Sequence, residues 1–321
     1  MGDTGDVVVF TGSAHHELAE EICSDLGVEL SPAHSQRFSN DCLQVQLREN
    51  CRQRDVYIVQ PLVPPTQDHL VELLLMLDAA RGASAAQITA VIPHYAYARS
   101  DKKDAPRISI GARLVADLIA TSGANRVLTM ALHAPQVHGF FSVPVDHLSA
   151  IPELAHHFKY RDVSNTVVVS PDLGNAKPAT QFARLLGVPV AAGSKRRLAD
   201  DTVVIDAIVG DVDGKDVVVL DDEIATGGSV CELLEVLGRH GARRISIACT
   251  HGLFTGPAIE RLASRHDIDE IITTNTVPQG GHYALPHLEV RSIAPLFAEA
   301  IGRIHRGESI STLLSDTVTH G

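Results

Sequence analysis

The stretch VVVLDDEIATGGSV, Val217 to Val230, decides the fold. Val217 to Leu220 read as a short buried strand that stops at two adjacent aspartates, Asp221 and Asp222. The chain then runs through Ala225-Thr226-Gly227-Gly228-Ser229 into a helical pattern, with Val230, Leu233, Leu234 and Leu237 at i, i+3, i+4 and i+7. The order is strand, acidic tip, small-residue loop, helix N-terminus. Glycines let backbone N–H groups approach an anion, and the helix dipole with the hydroxyls of Thr226 and Ser229 favours a phosphate there. Two carboxylates beside that pocket suit vicinal hydroxyls or a phosphate-bound cation. A sugar phosphate is the ligand that wants both. Taken alone, TGGS also fits an ordinary βα turn capped by Ser229.

Working outward, the 321 residues suffice for two domains of ordinary size, and 45% hydrophobic with 21% charged content describes a soluble globular protein. A formal charge of −12 argues against a nucleic-acid surface. The five cysteines, Cys23, Cys42, Cys51, Cys231 and Cys249, form no CxxC pair and are expected to be reduced thiols in a cytoplasmic protein. The start MGDTGDVVVF lacks the pattern of a signal peptide, and no apolar run approaches the roughly 18 residues of a membrane span, so no membrane partner is expected.

Strands are expected at Val7–Phe10, from Val28 and Leu30, around Val45 and Leu47, and at Val56–Val59, Ile88–Ile92 and Arg126–Met130. His34 to Cys42 reads as a polar loop. The second half repeats the plan, which predicts an α/β fold with mainly parallel sheets. SGANRVLTMALHA (Ser122 to Ala134) echoes HGARRISIACTHG (His240 to Gly252), and Leu26-Gly27-Val28 echoes Leu186-Gly187-Val188; duplication of one α/β domain is expected. The boundary is placed near Ala150, giving domains 1–150 and 151–321, with the tail returning to the first.

Other constellations bear on chemistry. No Walker A loop is present, since GNAKPAT (Gly174 to Thr180) lacks its ending. Asp172 follows a strand end, where α/β sheets present ligands, and His133 is read at the end of the corresponding strand of the first half. Each is equally a structural residue if taken alone; together they could face one Mg²⁺ held largely by water and phosphate. Lys195-Arg196-Arg197 is either a solvated loop or a cover for a polyphosphate, with Lys195 and Arg197 pointing the same way on an extended segment. Arg99 to Asp104 is either a solvated loop or a phosphate clamp. Phe38-Ser39-Asn40 sets an aromatic face beside an amide, which suits stacking on and reading a base.

DD at a strand end with TGGS resembles the phosphoribosyl-diphosphate loop of the type I phosphoribosyltransferase fold. In order, TGSAHHELA, RFSN, VIPHYAYARSDKKD, LHAPQVHGFF, PVDHL, VVVSPD, SKRR and THGLFTGPAIERL extend the resemblance over nearly the whole chain to the ribose-phosphate diphosphokinases, also called phosphoribosyl-diphosphate synthetases. The resemblance implies two tandem type I phosphoribosyltransferase-like domains. It implies transfer of the diphosphoryl group of MgATP to the 1-hydroxyl of ribose 5-phosphate, with release of AMP, in a protein of nucleotide biosynthesis. By resemblance, Lys195 and Arg197 stabilise the transferring group, and His133 and Asp172 hold Mg²⁺. Asp221 and Asp222 bind ribose hydroxyls, and Ala225, Thr226, Gly227, Gly228 and Ser229 the 5-phosphate. Phe38, Asn40 and Cys42 face adenine across a subunit boundary, with Arg99, Ser100, Asp101 and Lys103 on ATP. Dimers combine into a hexamer, and Arg52, Ser309 and Ser311 belong to an allosteric site.

The chain departs from the family pattern in several places. FS(N/D)GE is FSNDC, putting Cys42 where a glutamate reads the base; RQD is Arg99-Ser100-Asp101; TMDLH carries Ala131; PDxGG carries Asn175; and the DT of the sugar loop is Ala225-Thr226. These changes predict altered nucleotide selection more readily than loss of ribose 5-phosphate binding. The alternative is a regulatory homologue that binds nucleotide and assembles with an active synthetase. A phosphoribosyltransferase would leave the first half without a role.

Overall fold

The computed structural model describes residues 6–172, 174, 176–199, 202–280 and 285–314, with backbone alone for 195–199, 202–204, 206 and 314. Two compact units result: one comprises Met1–Ser149, Thr276–Pro278 and Ser292–Gly321, the other Ala150–Asn275 and Gln279–Arg291.

In the first unit, β1 (Val7–Thr11), β4 (Asp55–Val59), β5 (Gln87–Ile92), β6 (Arg126–Met130) and β7 (Val145–Leu148) form one parallel sheet in that spatial order. Their near-continuous aliphatic runs are buried, as a sheet covered on both faces requires. The helices α1 (His16–Leu26), α2 (Thr66–Gly82) and α3 (Gly111–Ser122) connect them. Helix α1 ends because Gly27 takes the left-handed conformation at φ 71°. The returning helix α8 (Ala294–His305) packs on α1, and its His305 pairs with Asp55 at 2.7 Å.

Between β1 and β4 the expectation fails in one respect. No strand starts at Val28; Leu30 makes only an isolated bridge to Val9. Instead the polar segment β2 (Ala33–Arg37) pairs antiparallel with β3 (Leu43–Leu47), from Ala33 opposite Leu47 to Arg37 opposite Leu43. The partner's apolar positions, Val45 and Leu47, rest on the core and supply the burial, so β2 needs only backbone pairing and shows no alternation of its own.

In the second unit, β8 (Thr166–Ser170), β11 (Asp216–Ile224), β12 (Arg244–Gly252), β13 (Ile268–Thr274) and β14 (Leu288–Arg291) are parallel neighbours in that order. The hairpin of β9 (Val190–Ala199) and β10 (Thr202–Val209) extends the sheet beyond β8. Both units therefore set five parallel strands in chain order and insert an antiparallel hairpin after the first. By this topology β6 matches β13, not β12, so the SGANRVLTMALHA echo joins non-equivalent strands; β8 likewise matches β1 and not β6. The Leu-Gly-Val echo does fall on equivalent turns, after α1 and after α5 (Ala176–Leu186), with φ 71° at Gly27 and 70° at Gly187.

Candidate active site

The acidic tip is part of the sheet. β11 does not stop at Asp221 but continues to Ile224, because β12 extends alongside: Asp221 lies opposite Cys249, Glu223 opposite His251 and Ile224 opposite Gly252. Asp221, Asp222 and Glu223 are half-buried, and the Asp222 N–H donates to the Asp221 carboxylate at 2.9 Å. Beneath them, burial pushes the Cys249 thiol up to about 12, with these carboxylates adding to the effect, so it stays protonated. The helix α6 (Gly228–Arg239) buries Val230, Leu233, Leu234 and Leu237, the residues whose spacing predicts it.

Gly227, at φ 72° and ψ 2°, is the N-cap of α6, with no side-chain cap bond; Ser229 is not the cap. A Cβ at Gly227 would find its nearest neighbour, the Ala258 Cα, at 3.7 Å, so the glycine answers to conformation and not to space. The loop carbonyls are all engaged. Ile224 accepts from the Phe254 N–H at 3.0 Å, Ala225 from the Thr255 N–H at 2.8 Å, Thr226 from Arg261 Nη1 at 3.0 Å, and Gly227 from the Cys231 N–H at 2.9 Å. The N–H groups of 225–229 have no protein acceptor among the described residues, and the Thr226 and Ser229 side chains are exposed. Donors at a helix N-terminus beside two carboxylates can bind an anion that also carries hydroxyls.

The equivalent turn in the first unit follows β4 and reads Gln60-Pro61-Leu62-Val63-Pro64-Pro65. Three prolines lack an N–H, and those of Gln60 and Leu62 are taken by the Val91 and His94 carbonyls at 2.9 and 2.8 Å. The two units therefore differ in backbone chemistry at the same place.

The remaining candidates distribute as follows. Phe38, Asn40 and Cys42 occupy the tip of the β2–β3 hairpin, where Phe38 is 46% exposed. The Asn40 carbonyl accepts the Cys42 N–H at 3.2 Å, which leaves its amide N–H groups to donate outward. Asp41 turns the chain at φ 69° and is tied to Arg37 at 2.7 Å. Arg99 ends a 3₁₀ turn, Ala96–Arg99, after β5. Ser100 Oγ accepts the Gly111 N–H at 3.0 Å and so caps α3, Asp101 accepts from Gln136 at 2.6 Å, and Lys103 is exposed.

His133 is exposed, one turn past β6 in the first unit; Asp172 is half-buried past β8 in the second. Lys195 and Arg197 lie on β9, opposite Ile205 and Val203, with side chains outside the described residues, as is Asn175. Arg52 is exposed, and Ser309 Oγ meets Ser311 Oγ at 3.1 Å in the same unit. Among the described residues, no three His, Cys, Asp or Glu side chains are grouped to hold a metal ion, and no helix is long and apolar enough to cross a membrane.

Three supporting residues escape a reading of local sequence. His147 on β7 accepts the Leu132 N–H at 2.8 Å, next to Ala131 at φ 44°, and so fixes the turn that leads into His133. Burial pushes the His147 pKa down to about 4, with His138 adding to the effect, so the ring is a neutral acceptor. Glu72 on α2 is buried and joins Ser13, Ser35 and Gln60, binding the hairpin base to the core. Arg261 lies on α7 (Ala258–Ala263) and donates to the Thr226 carbonyl of the loop from 35 residues away.

Comparison with known proteins gives the family. A profile described as the N-terminal domain of ribose phosphate pyrophosphokinase matches residues 7–123, and one described as the phosphoribosyl synthetase-associated domain matches 199–315. A Streptomyces coelicolor protein is 63% identical over 308 residues, covering 96% of this chain and 97% of its own length. The Deinococcus radiodurans ribose-phosphate pyrophosphokinase is 51% identical over 314 residues, with 96% and 98% covered. The crystal structure of phosphoribosylpyrophosphate synthetase from Mycobacterium smegmatis matches with a TM-score of 0.88 at 39% identity, over 94% of this chain and 99% of that one. The chain belongs to the ribose-phosphate pyrophosphokinase family.

Proposed function

We propose that this protein transfers the diphosphoryl group of ATP to the 1-hydroxyl of ribose 5-phosphate, giving 5-phosphoribosyl 1-diphosphate and AMP. The observation that carries the reading is the pair of carboxylates on β11 running directly into a loop whose carbonyls are engaged and whose N–H groups have no protein acceptor among the described residues. Asp221 and Asp222 hold the ribose hydroxyls, and residues 225–229 take the 5-phosphate. The 1-hydroxyl oxygen bonds to the β-phosphorus as the bond from that phosphorus to the AMP oxygen breaks. Catalysis is then mainly positioning and charge stabilisation.

Lys195 and Arg197 stabilise the transferring group from β9. Phe38 stacks on adenine and Asn40 donates to it from a neighbouring subunit, within dimers that combine into a hexamer; Cys42, Arg99, Ser100, Asp101 and Lys103 complete the nucleotide side. Mg²⁺ would be held by His133 and Asp172, and when bound it neutralises charge on the polyphosphate. Such an ion keeps several waters and needs one or two protein ligands. Arg52, Ser309 and Ser311 form an effector site, and the protein works in the cytoplasm.

The test is AMP release from purified protein with MgATP and ribose 5-phosphate. Absence of turnover with ATP and with every other nucleoside triphosphate, in intact hexamers, would sink the proposal and favour a regulatory subunit.

A further inference from the structure

We infer that Arg261 is a positioning residue for the 5-phosphate: by holding the Thr226 carbonyl, it turns the Gly227 N–H toward the anion. This rests on the reading of residues 225–229 as the loop for ribose 5-phosphate.

Three consecutive peptide units lead into α6, and one segment, residues 254–261, holds all three by their carbonyls. Phe254 N–H takes Ile224, Thr255 N–H takes Ala225, and Arg261 Nη1 takes Thr226. In a trans peptide the C=O and N–H point in opposite directions. Carbonyls pinned toward 254–261 therefore send the N–H groups of Ala225, Thr226 and Gly227 away from it. Two of the three pins are main-chain N–H groups that no substitution short of proline removes. The third is a side chain, and it acts at the peptide beside the left-handed Gly227, where the backbone has most freedom.

The pinning segment is itself over-determined. Phe254 is buried and holds φ 43°, and a Cβ at Gly252 would lie 2.5 Å from the Phe254 ring and 2.7 Å from Thr273 Oγ1. Strain of this kind persists where the surroundings enforce it, and it collects at functional sites. Charge supplies a second, independent pointer. Arg261 Nη1 lies 3.5 Å from the Cβ position of Gly228, the first residue of α6. A cation at a helix N-terminus opposes the macrodipole, and a bound phosphate dianion removes that conflict.

The experiment compares wild type with Arg261→Met and Arg261→Lys by calorimetric binding of ribose 5-phosphate, by KM for each substrate and by melting temperature. Arg261→Met should weaken ribose 5-phosphate binding roughly tenfold, the loss expected for one charge-assisted bond. KM for ATP and the melting temperature should hold, and Arg261→Lys should recover most of the affinity. Should Arg261→Met fail to fold, Arg261→Gln takes its place with the same expectation. Unchanged ribose 5-phosphate affinity in the Met or Gln variant overturns the inference, as does an equal rise in both KM values. Wild-type protein that does not bind ribose 5-phosphate overturns the acceptor-site reading itself and the inference with it.

Discussion

Glu72 offers the sharpest test of how the β2–β3 hairpin is anchored. Its carboxylate is buried and accepts four hydrogen bonds: from the Ser13 N–H at 3.0 Å, Ser13 Oγ at 2.6 Å, Gln60 Nε2 at 2.8 Å and Ser35 Oγ at 2.5 Å. Ser13 sits in the turn after β1, Gln60 after β4 and Ser35 on β2, so one side chain ties three segments together. Replacing Glu72 by Leu removes every acceptor. The two hydroxyls can rotate to other partners, but the part-buried Ser13 N–H and one of the two Gln60 amide N–H groups lose their acceptor, while the other Gln60 N–H keeps the His69 carbonyl at 3.2 Å. At about 1–3 kcal/mol for each such donor, the loss should be about 4 kcal/mol. Glu72→Gln keeps one oxygen, and Ser35 can reverse to accept, so only charge assistance is lost, about 1–2 kcal/mol.

Urea unfolding reads both values, and amide exchange across residues 33–47 reports whether the hairpin detaches. Burial pushes the Glu72 carboxyl up, but the bonds from Ser13, Ser35 and Gln60 outweigh it and hold the pKa below the ordinary range. Its contribution is therefore present above the unfolded carboxylate pKa and is lost as pH falls through the folded value, so the Leu variant should lack that part of the acid sensitivity. KM for ATP should rise more than turnover falls. A Leu variant within about 1 kcal/mol of wild type, with hairpin exchange unchanged, would refute this account.

Other outcomes follow from the same geometry. His147 is held neutral with a pKa of about 4 against an ordinary 6.5, so its stability contribution, about 3 kcal/mol, is complete above pH 6.5 and lost as pH falls toward 4. His147→Gln should flatten the urea midpoint across that window, and an unchanged slope would remove His147 as the source. Gly227→Ala should cost about 1–2 kcal/mol in a thermal melt, because φ 72° disfavours any Cβ, and should raise KM for ribose 5-phosphate. Lys195→Ala should lower turnover by about two or more orders of magnitude while leaving ATP binding nearly intact; a normal rate refutes its role. Alkylation near neutral pH should reach exposed Cys42 first, slowed by ATP, and spare buried Cys249 until unfolding, which mass spectrometry of the folded protein checks.

Much of this was legible in the chain because its signals are local. The aliphatic runs at Val7 and Val217 and the i, i+3, i+4, i+7 spacing after Ser229 state their structure within a dozen residues. β2 was not legible, since a polar strand is made by pairing with β3 and has no pattern of its own. The length of β11 was hidden for a similar reason: its last residues, Asp221 to Ile224, are held by β12 and not by their own character. The Gly-Ala-Arg echo misled because any helix-to-strand turn favours such residues. In the site, the Asp-Asp and Thr-Gly-Gly-Ser residues announce themselves as ligand chemistry. Glu72, His147 and Arg261 do not, since each acts on a backbone or hydroxyl group far along the chain, 59, 15 and 35 residues away in turn.

The prolines after β4 carry a consequence for how two similar halves come to differ. An anion cradle made of side chains can be lost and regained by single substitutions. One made of main-chain N–H groups disappears wherever a proline enters, and here Pro61, Pro64 and Pro65 all stand in one turn, with the Gln60 and Leu62 donors already committed. Replacing any one of them restores a single donor and leaves two missing, so a main-chain donor set like that of residues 225–229 lies three substitutions away at this turn.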